Sequence, residues 1–209
     1  MRRGILGGTF DPIHTGHLIL AQEVSWRLGL DEVWFMPAGL PWMKRGLELS
    51  AQEHRRAMVE LAIADNPHYH LATLELDRPG ETYTAETLEQ LRAGEMAEDD
   101  VFFIMGVDAL HTLHRWRDAA RILELARIVV ALRPGHGEVD LRTLEAVDPT
   151  ASERIMTVQM PLIEISGTEL RRRVAAGEPV RYLVPDAVAD YIARHGLYRN
   201  LTTPQRSNA

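Results

Sequence analysis

Residues 7–17 read GGTFDPIHTGH and follow directly on the apolar pair Ile5-Leu6. Gly7 and Gly8 permit backbone dihedrals closed to other residues and let a ligand approach the main chain. Thr15 suits an N-cap, which leaves N–H groups and the positive end of a helix dipole facing a crevice, a ready anion site. His14 and His17 are three apart, so they share one side of the first helical turn. Together these residues make a phosphate cradle carrying two imidazole donors. Two rival readings stand beside it. Asp11, His14 and His17 could hold a metal, although the spacing differs from H-E-x-x-H and no third histidine lies nearby. The stretch could also be a capped glycine turn without a ligand. Neither the dinucleotide fingerprint G-x-G-x-x-G nor the P-loop G-K-[ST] is present.

Lys44 is the other residue whose type invites a chemical question. Lys and Arg together number 23, and Lys44 is the one lysine. In so Arg-biased a chain, a lone lysine suggests a need for a compact ammonium rather than a planar fork.

Elements of secondary structure must hold these groups in place. Residues 3–7 read as a short buried strand, 16–28 as an amphipathic helix stopped by Gly29, and 32–36 (EVWFM) as a second strand. A strand–helix–strand unit implies parallel pairing with a right-handed crossover. After an irregular stretch over 37–49, Ser50-Ala51-Gln52-Glu53 reads as a capping box opening a helix that runs to about Asp65. Arg55 and Arg56, on that helix, read as surface or helix-packing residues. Further strands are expected over 71–76, 101–105 (VFFIM), 128–132 (IVVAL) and 155–160. Helices are expected over 85–92, 119–126, 168–176 and 186–195. The fold class is therefore α/β, an open doubly wound (Rossmann-like) parallel sheet with a smaller α-rich C-terminal part. Residues 1–200 are expected to form one domain, with 155–200 as its α-rich part and a polar, disordered tail over 201–209. In such a sheet ligands bind at the carboxyl ends of the strands, the position that GGTFDPIHTGH occupies.

Composition narrows the function classes. With 209 residues, 45% hydrophobic and 25% charged, the chain has the make-up of a soluble globular protein. No apolar run reaches the ~18 residues of a membrane span. The opening Met-Arg-Arg does not develop into a signal peptide, because Gly7-Gly8 and Asp11 interrupt any apolar core. Zero cysteines exclude disulfides and thiolate metal sites and agree with a reducing, cytoplasmic location. A net charge of −7 argues against a nucleic-acid partner but not against a small anionic ligand. No heptad seam is visible, and a homo-oligomer is left open.

GGTFDPIHTGH resembles the G-x-F-D-P-x-H-x-G-H signature of the nucleotidyltransferases related to class I aminoacyl-tRNA synthetases. From residue 4 to about Tyr198 the chain is similar to the bacterial nicotinate mononucleotide adenylyltransferase family. The landmarks fall in order: the signature, Lys44, SAQEHRRAM, ETYTAETL, FIMGVDAL followed by Trp116, ALRPG, and ISGTELR. The resemblance implies adenylyl transfer from ATP to nicotinate mononucleotide in NAD biosynthesis, with Mg²⁺ carried by ATP and pyrophosphate rather than by a protein cage. It implies that His14, His17, Lys44 and Arg171 are the catalytic set. ATP would meet Gly7, Gly8, Thr9, Phe10, His14 and His17, then Gly106 and Asp108 near its ribose, and Ser166, Thr168 and Arg171 on its triphosphate. The mononucleotide would meet Lys44, Thr82, Tyr83, Thr84, Trp116 and Arg133, with the Trp116 indole stacked on the pyridine ring. The chain departs from the family pattern at Trp42-Met43, where Pro-His usually precedes the lysine, and at Gly167, which replaces a serine. A phosphopantetheine adenylyltransferase and a non-catalytic nucleotide sensor are the alternatives. ETYTAETL and Trp116 speak against the first, and the intact His14, His17, Lys44 and Arg171 against the second.

Overall fold

A computed structural model describes residues 1–41, 49–132 and 139–199. Trp42, Met43, Lys44, Arg133 and the tail over 201–209 lie outside the described residues. In chain order the strands are β1 (Arg2–Gly8), β2 (Glu32–Pro37), β3 (Leu40–Pro41), β4 (Tyr69–Leu71), β5 (Glu81–Thr82), β6 (Asp100–Gly106), β7 (Arg127–Leu132) and β8 (Ile155–Gln159). The helices are α1 (Thr15–Leu28), α2 (Gln52–Ile63), α3 (Thr84–Ala93), α4 (Val107–Leu113), α5 (Ala119–Leu125), α6 (Arg142–Glu145), α7 (Ala151–Arg154), α8 (Gly167–Ala175) and α9 (Asp186–His195).

Six strands form one sheet in the order β4-β2-β1-β6-β7-β8. Every pairing within it is parallel. The chain leaves β1 towards β2 and β4 on one side, then returns to build β6, β7 and β8 on the other. The order reverses between β1 and β6, and that switch point opens a crevice at the carboxyl ends of both strands.

Period-two alternation along the strands feeds two cores. Phe103, Met105, Ile128 and Val130 pack with Leu88, Leu110 and Ile122 from α3, α4 and α5. Phe102, Ile104 and Val129 pack on the opposite face with Val24, Met58, Leu170 and Val188 from α1, α2, α8 and α9. A parallel sheet covered on both faces has to read as near-continuous apolar runs, as VFFIM and IVVAL do.

Two local expectations are corrected. The strand expected over 71–76 ends at Leu71, and a turn follows in which the Thr73 hydroxyl donates to the Asp77 carboxylate at 2.6 Å. Leu74 and Leu76 pack from that turn rather than from a strand. The Ser50–Glu53 capping box does not form either. Helix α2 starts at Gln52 behind Ala51, with no side-chain cap. The Ser50 N–H, which a capping box would give to the Glu53 carboxylate, donates instead to the Asp11 carboxylate at 3.1 Å.

Candidate active site

The switch point holds a cavity of about 300 Å³. Gly7, Gly8 and Thr9 from the end of β1 and Gly106 from the end of β6 line it, facing Thr82, Thr84 and Trp116. Residues expected on two different substrates therefore line one cavity. The Trp116 indole is half-buried; its N–H donates to the Thr112 hydroxyl at 3.2 Å and its ring meets Phe103 edge-on at 6.3 Å. That bond and contact hold one ring face in a fixed orientation.

The histidines stand at the start of α1, where they act on each other. His14 is the N-cap, and its N–H donates to Nδ1 of His17 at 3.2 Å. A nitrogen that accepts cannot carry the ring proton, so this bond assigns the proton to Nε2 of His17. The rings stack with centroids 3.7 Å apart, and Phe10 meets His17 edge-on at 4.9 Å. Thr15 is thus the first helical residue and not the cap. Its N–H is taken by the Leu183 carbonyl at 2.9 Å and its hydroxyl donates to the Tyr182 carbonyl at 3.2 Å, so that amide is not available to an anion.

His14 is 7% exposed, and burial lowers its imidazole from 6.5 to about 4. Below pH about 6.5 the unfolded chain takes up a proton that the folded site resists, so stability falls as pH drops from about 6.5 towards 4. His14→Gln should flatten this limb by on the order of 3 kcal/mol between pH 7 and pH 4. Urea unfolding of both proteins at the two pH values checks it, and identical pH dependence would contradict the assignment.

The roles of the glycines differ from expectation. Neither Gly7 nor Gly8 has a positive φ; Phe10 does, at 49°. What the glycines supply is clearance. A Cβ on Gly8 would lie 3.0 Å from the Phe10 ring, and one on Gly7 3.2 Å from Phe103. Phe10 itself is 2% exposed; its ring packs edge-on against His17 and does not line the cavity.

The remaining expected residues divide clearly. Arg171 reaches back across 160 positions to donate to the Asp11 carbonyl at 2.6 Å, and Thr168 lies beside it, 3.4 Å from its other guanidinium nitrogen. Ser166 caps α8 by accepting from the Glu169 N–H at 3.2 Å. At Gly167, a Cβ would sit 3.1 Å from the Asp11 carbonyl, so the missing serine lets α8 approach the histidine loop closely. Asp108 is exposed in the first turn of α4. Tyr83 does not join the cavity: its hydroxyl donates to Glu81 at 2.7 Å and Arg117 lies over its ring at 4.5 Å. Lys44 and Arg133 lie outside the described residues.

Two residues outside the expected site set are central, one of them Arg55, expected as a surface or helix-packing residue. Arg55 is 1% exposed. Its guanidinium donates to the carbonyls of Thr9 at 2.9 Å, Ala38 at 2.6 Å, Gly39 at 3.1 Å and Ser50 at 3.3 Å. It thereby ties the β1 loop to the segment after β2. Its signal was present: Arg55 sits in register with Met58, Val59 and Ala62, the buried stripe of α2. Glu75 lines the cavity and is 5% exposed. Burial raises its carboxyl above the usual range, partly offset by Thr82, Thr87 and the Gly39 amide. Only glycine fits at position 39, because a Cβ there would collide with the Glu75 carbonyl. Nothing in the local pattern marks Glu75. Among the described residues no group of three or more His, Cys, Asp or Glu could hold a metal ion, and no helix is long and apolar enough to cross a membrane.

The cytidylyltransferase-like family model matches residues 5–173. A probable nicotinate-nucleotide adenylyltransferase of Roseiflexus sp. (strain RS-1) is 50% identical, over 94% of this chain and 97% of its own length. One of the same name from Thermomicrobium roseum is 48% identical, over 96% and 92%. The chain belongs to the cytidylyltransferase-like family of nucleotidyltransferases and, within it, to the nicotinate-nucleotide adenylyltransferases. The fold is also that of the Plasmodium falciparum nicotinic acid mononucleotide adenylyltransferase complexed with NaAD, with a TM-score of 0.74 at 20% identity, covering 94% of this chain and 97% of that one.

Proposed function

We propose that this protein transfers the adenylyl group of ATP to the phosphate of nicotinate mononucleotide, giving nicotinate adenine dinucleotide and pyrophosphate. The observation that carries the reading is the cavity whose wall joins the Gly7–Thr9 loop to Thr82, Thr84 and Trp116. In the reaction a mononucleotide phosphate oxygen bonds to the α-phosphorus of ATP. The bond from that phosphorus to its bridging oxygen breaks, and pyrophosphate leaves with the electron pair. The nucleophile is already anionic at neutral pH, so no general base is required and catalysis is positioning plus charge stabilisation.

In this reading His14 and His17 donate to the phosphates, and Ser166, Thr168 and Arg171 hold the triphosphate. Gly106 and Asp108 lie towards the ribose, and Lys44 closes over the phosphates. Trp116 stacks on the pyridine ring, main-chain amides near Thr84 receive its carboxylate, and Arg133 serves the mononucleotide side. Mg²⁺ is part of the substrate, bound by the triphosphate and leaving with pyrophosphate. The reaction takes place in the cytoplasm.

Chromatography of a reaction with ATP, Mg²⁺ and nicotinate mononucleotide tests the reading, which requires the dinucleotide as product and is overturned by its absence. Trp116→Ala should raise the KM for the mononucleotide about 10- to 100-fold, the worth of one stacked ring, and leave the KM for ATP within about twofold. Equal increases for both substrates would assign Trp116 to the fold.

A further inference from the structure

Asp11 is 4% exposed and is not part of the cavity wall, yet three distant parts of the chain converge on it. Its Oδ1 accepts from the Tyr198 hydroxyl at 2.6 Å, across 187 positions. Its Oδ2 accepts from the Ser50 N–H, and its carbonyl from Arg171. Three residues further along the chain stands His14, joined to Asp11 through Pro12 and the fully buried Ile13. A displacement of Asp11 therefore passes directly to the histidine pair.

Tyr198 is built for this contact. Helix α9 ends at Gly196 with φ 61°, and two residues later Tyr198 itself adopts φ 65°. A non-glycine residue in that region costs about 1–2 kcal/mol. The second turn directs the phenol back under the β1 loop, against Met58 Sδ at 3.9 Å. Burial and the Asp11 carboxylate push the phenol well above its usual range, so it remains a donor wherever the protein is folded.

We infer that Tyr198 is a positioning residue: by holding Asp11, it makes the geometry of His14 and His17 depend on the docking of the turn that follows α9. The inference deepens the adenylyl-transfer reading and rests on it. It needs no reacting atom near Tyr198, since the effect passes through Asp11.

The test is Tyr198→Phe in the full chain, which keeps the ring and removes one oxygen. The expected result is a kcat about 10- to 100-fold lower, the scale of a small misplacement, with both KM values within about twofold. The imidazole resonances of His14 and His17 should also move. Tyr191→Phe serves as control: it removes a hydroxyl on α9 that bonds His54 at 3.0 Å and does not touch Asp11, so its kcat should equal wild type. A Tyr198→Phe protein with wild-type kcat and unmoved imidazole resonances overturns the inference. If that variant does not fold, Asp11→Ala, which removes the acceptor of the phenol, should show the same loss of kcat with unchanged KM; wild-type kcat in it overturns the inference. Wild-type protein that makes no dinucleotide overturns the adenylyl-transfer reading instead, and the imidazole resonances then decide the role of Tyr198 alone.

Discussion

His17→Ala is expected to lower turnover about 10²–10³-fold, the loss typical of removing one preorganised donor to developing charge. Nucleotide affinity should stay within about tenfold. The reasoning starts from the bond between the His14 N–H and Nδ1 of His17, 3.2 Å long. It fixes the tautomer and aims Nε2 before substrate arrives, so no reorganisation remains for the chemical step. Phe10 at the ring edge and His14 at the ring face restrain the imidazole further. Alanine removes the donor and the bond to the cap, and the second loss alone should cost about 1 kcal/mol of stability. Steady-state kinetics on protein whose circular dichroism matches wild type separates the two effects. Near-normal turnover would remove His17 from the chemistry.

Arg55→Ala should be the most destabilising single change near the site. Its guanidinium satisfies four main-chain carbonyls in the interior. Each buried carbonyl left without a donor costs roughly 1–3 kcal/mol, and water entry into the space recovers part of that. With four carbonyls affected, a net loss of about 3–5 kcal/mol follows. Arg55→Lys keeps the charge but not the planar fork that reaches several carbonyls together, so it should fall between alanine and wild type. The urea midpoint is the measurement. Arg56 is the comparison, because it is exposed and paired with Glu60 one turn away, and Arg56→Ala should leave the midpoint unchanged. If the two alanine variants behave alike, the Arg55 network does not hold the loops.

The same pair of arginines shows what could be read from the chain. Strands whose side chains fill both cores, such as β6 and β7, are legible because burial on two faces demands unbroken apolar runs. Gly29 is legible as a helix stop and takes the left-handed conformation, with φ 58°. The spacing of His14 and His17 carries over to the structure because one helical turn is enough to bring them together. Arg55 was legible in principle, by its place in the apolar stripe of α2, but an arginine is read as surface unless that register outweighs its type. The rest depends on contacts no local pattern encodes. Glu75 is buried by a turn that replaces an expected strand. Asp11 meets Tyr198 across 187 positions, and Ser50 gives its amide to that same carboxylate rather than to a helix cap. Phe10 takes the positive φ that the two glycines before it were suited to provide, and its ring meets His17 edge-on.

Pyrophosphate release by purified protein, with ATP and Mg²⁺, tests the central claim most directly when three acceptors are compared: nicotinate mononucleotide, nicotinamide mononucleotide and phosphopantetheine. Release with nicotinate mononucleotide well above the other two is the expected result, and it reports the reaction and the pyridine specificity together. Release with phosphopantetheine alone would keep the phosphate cradle and overturn the substrate. No release with any of them, from protein that binds ATP, would contradict catalysis and leave a nucleotide sensor.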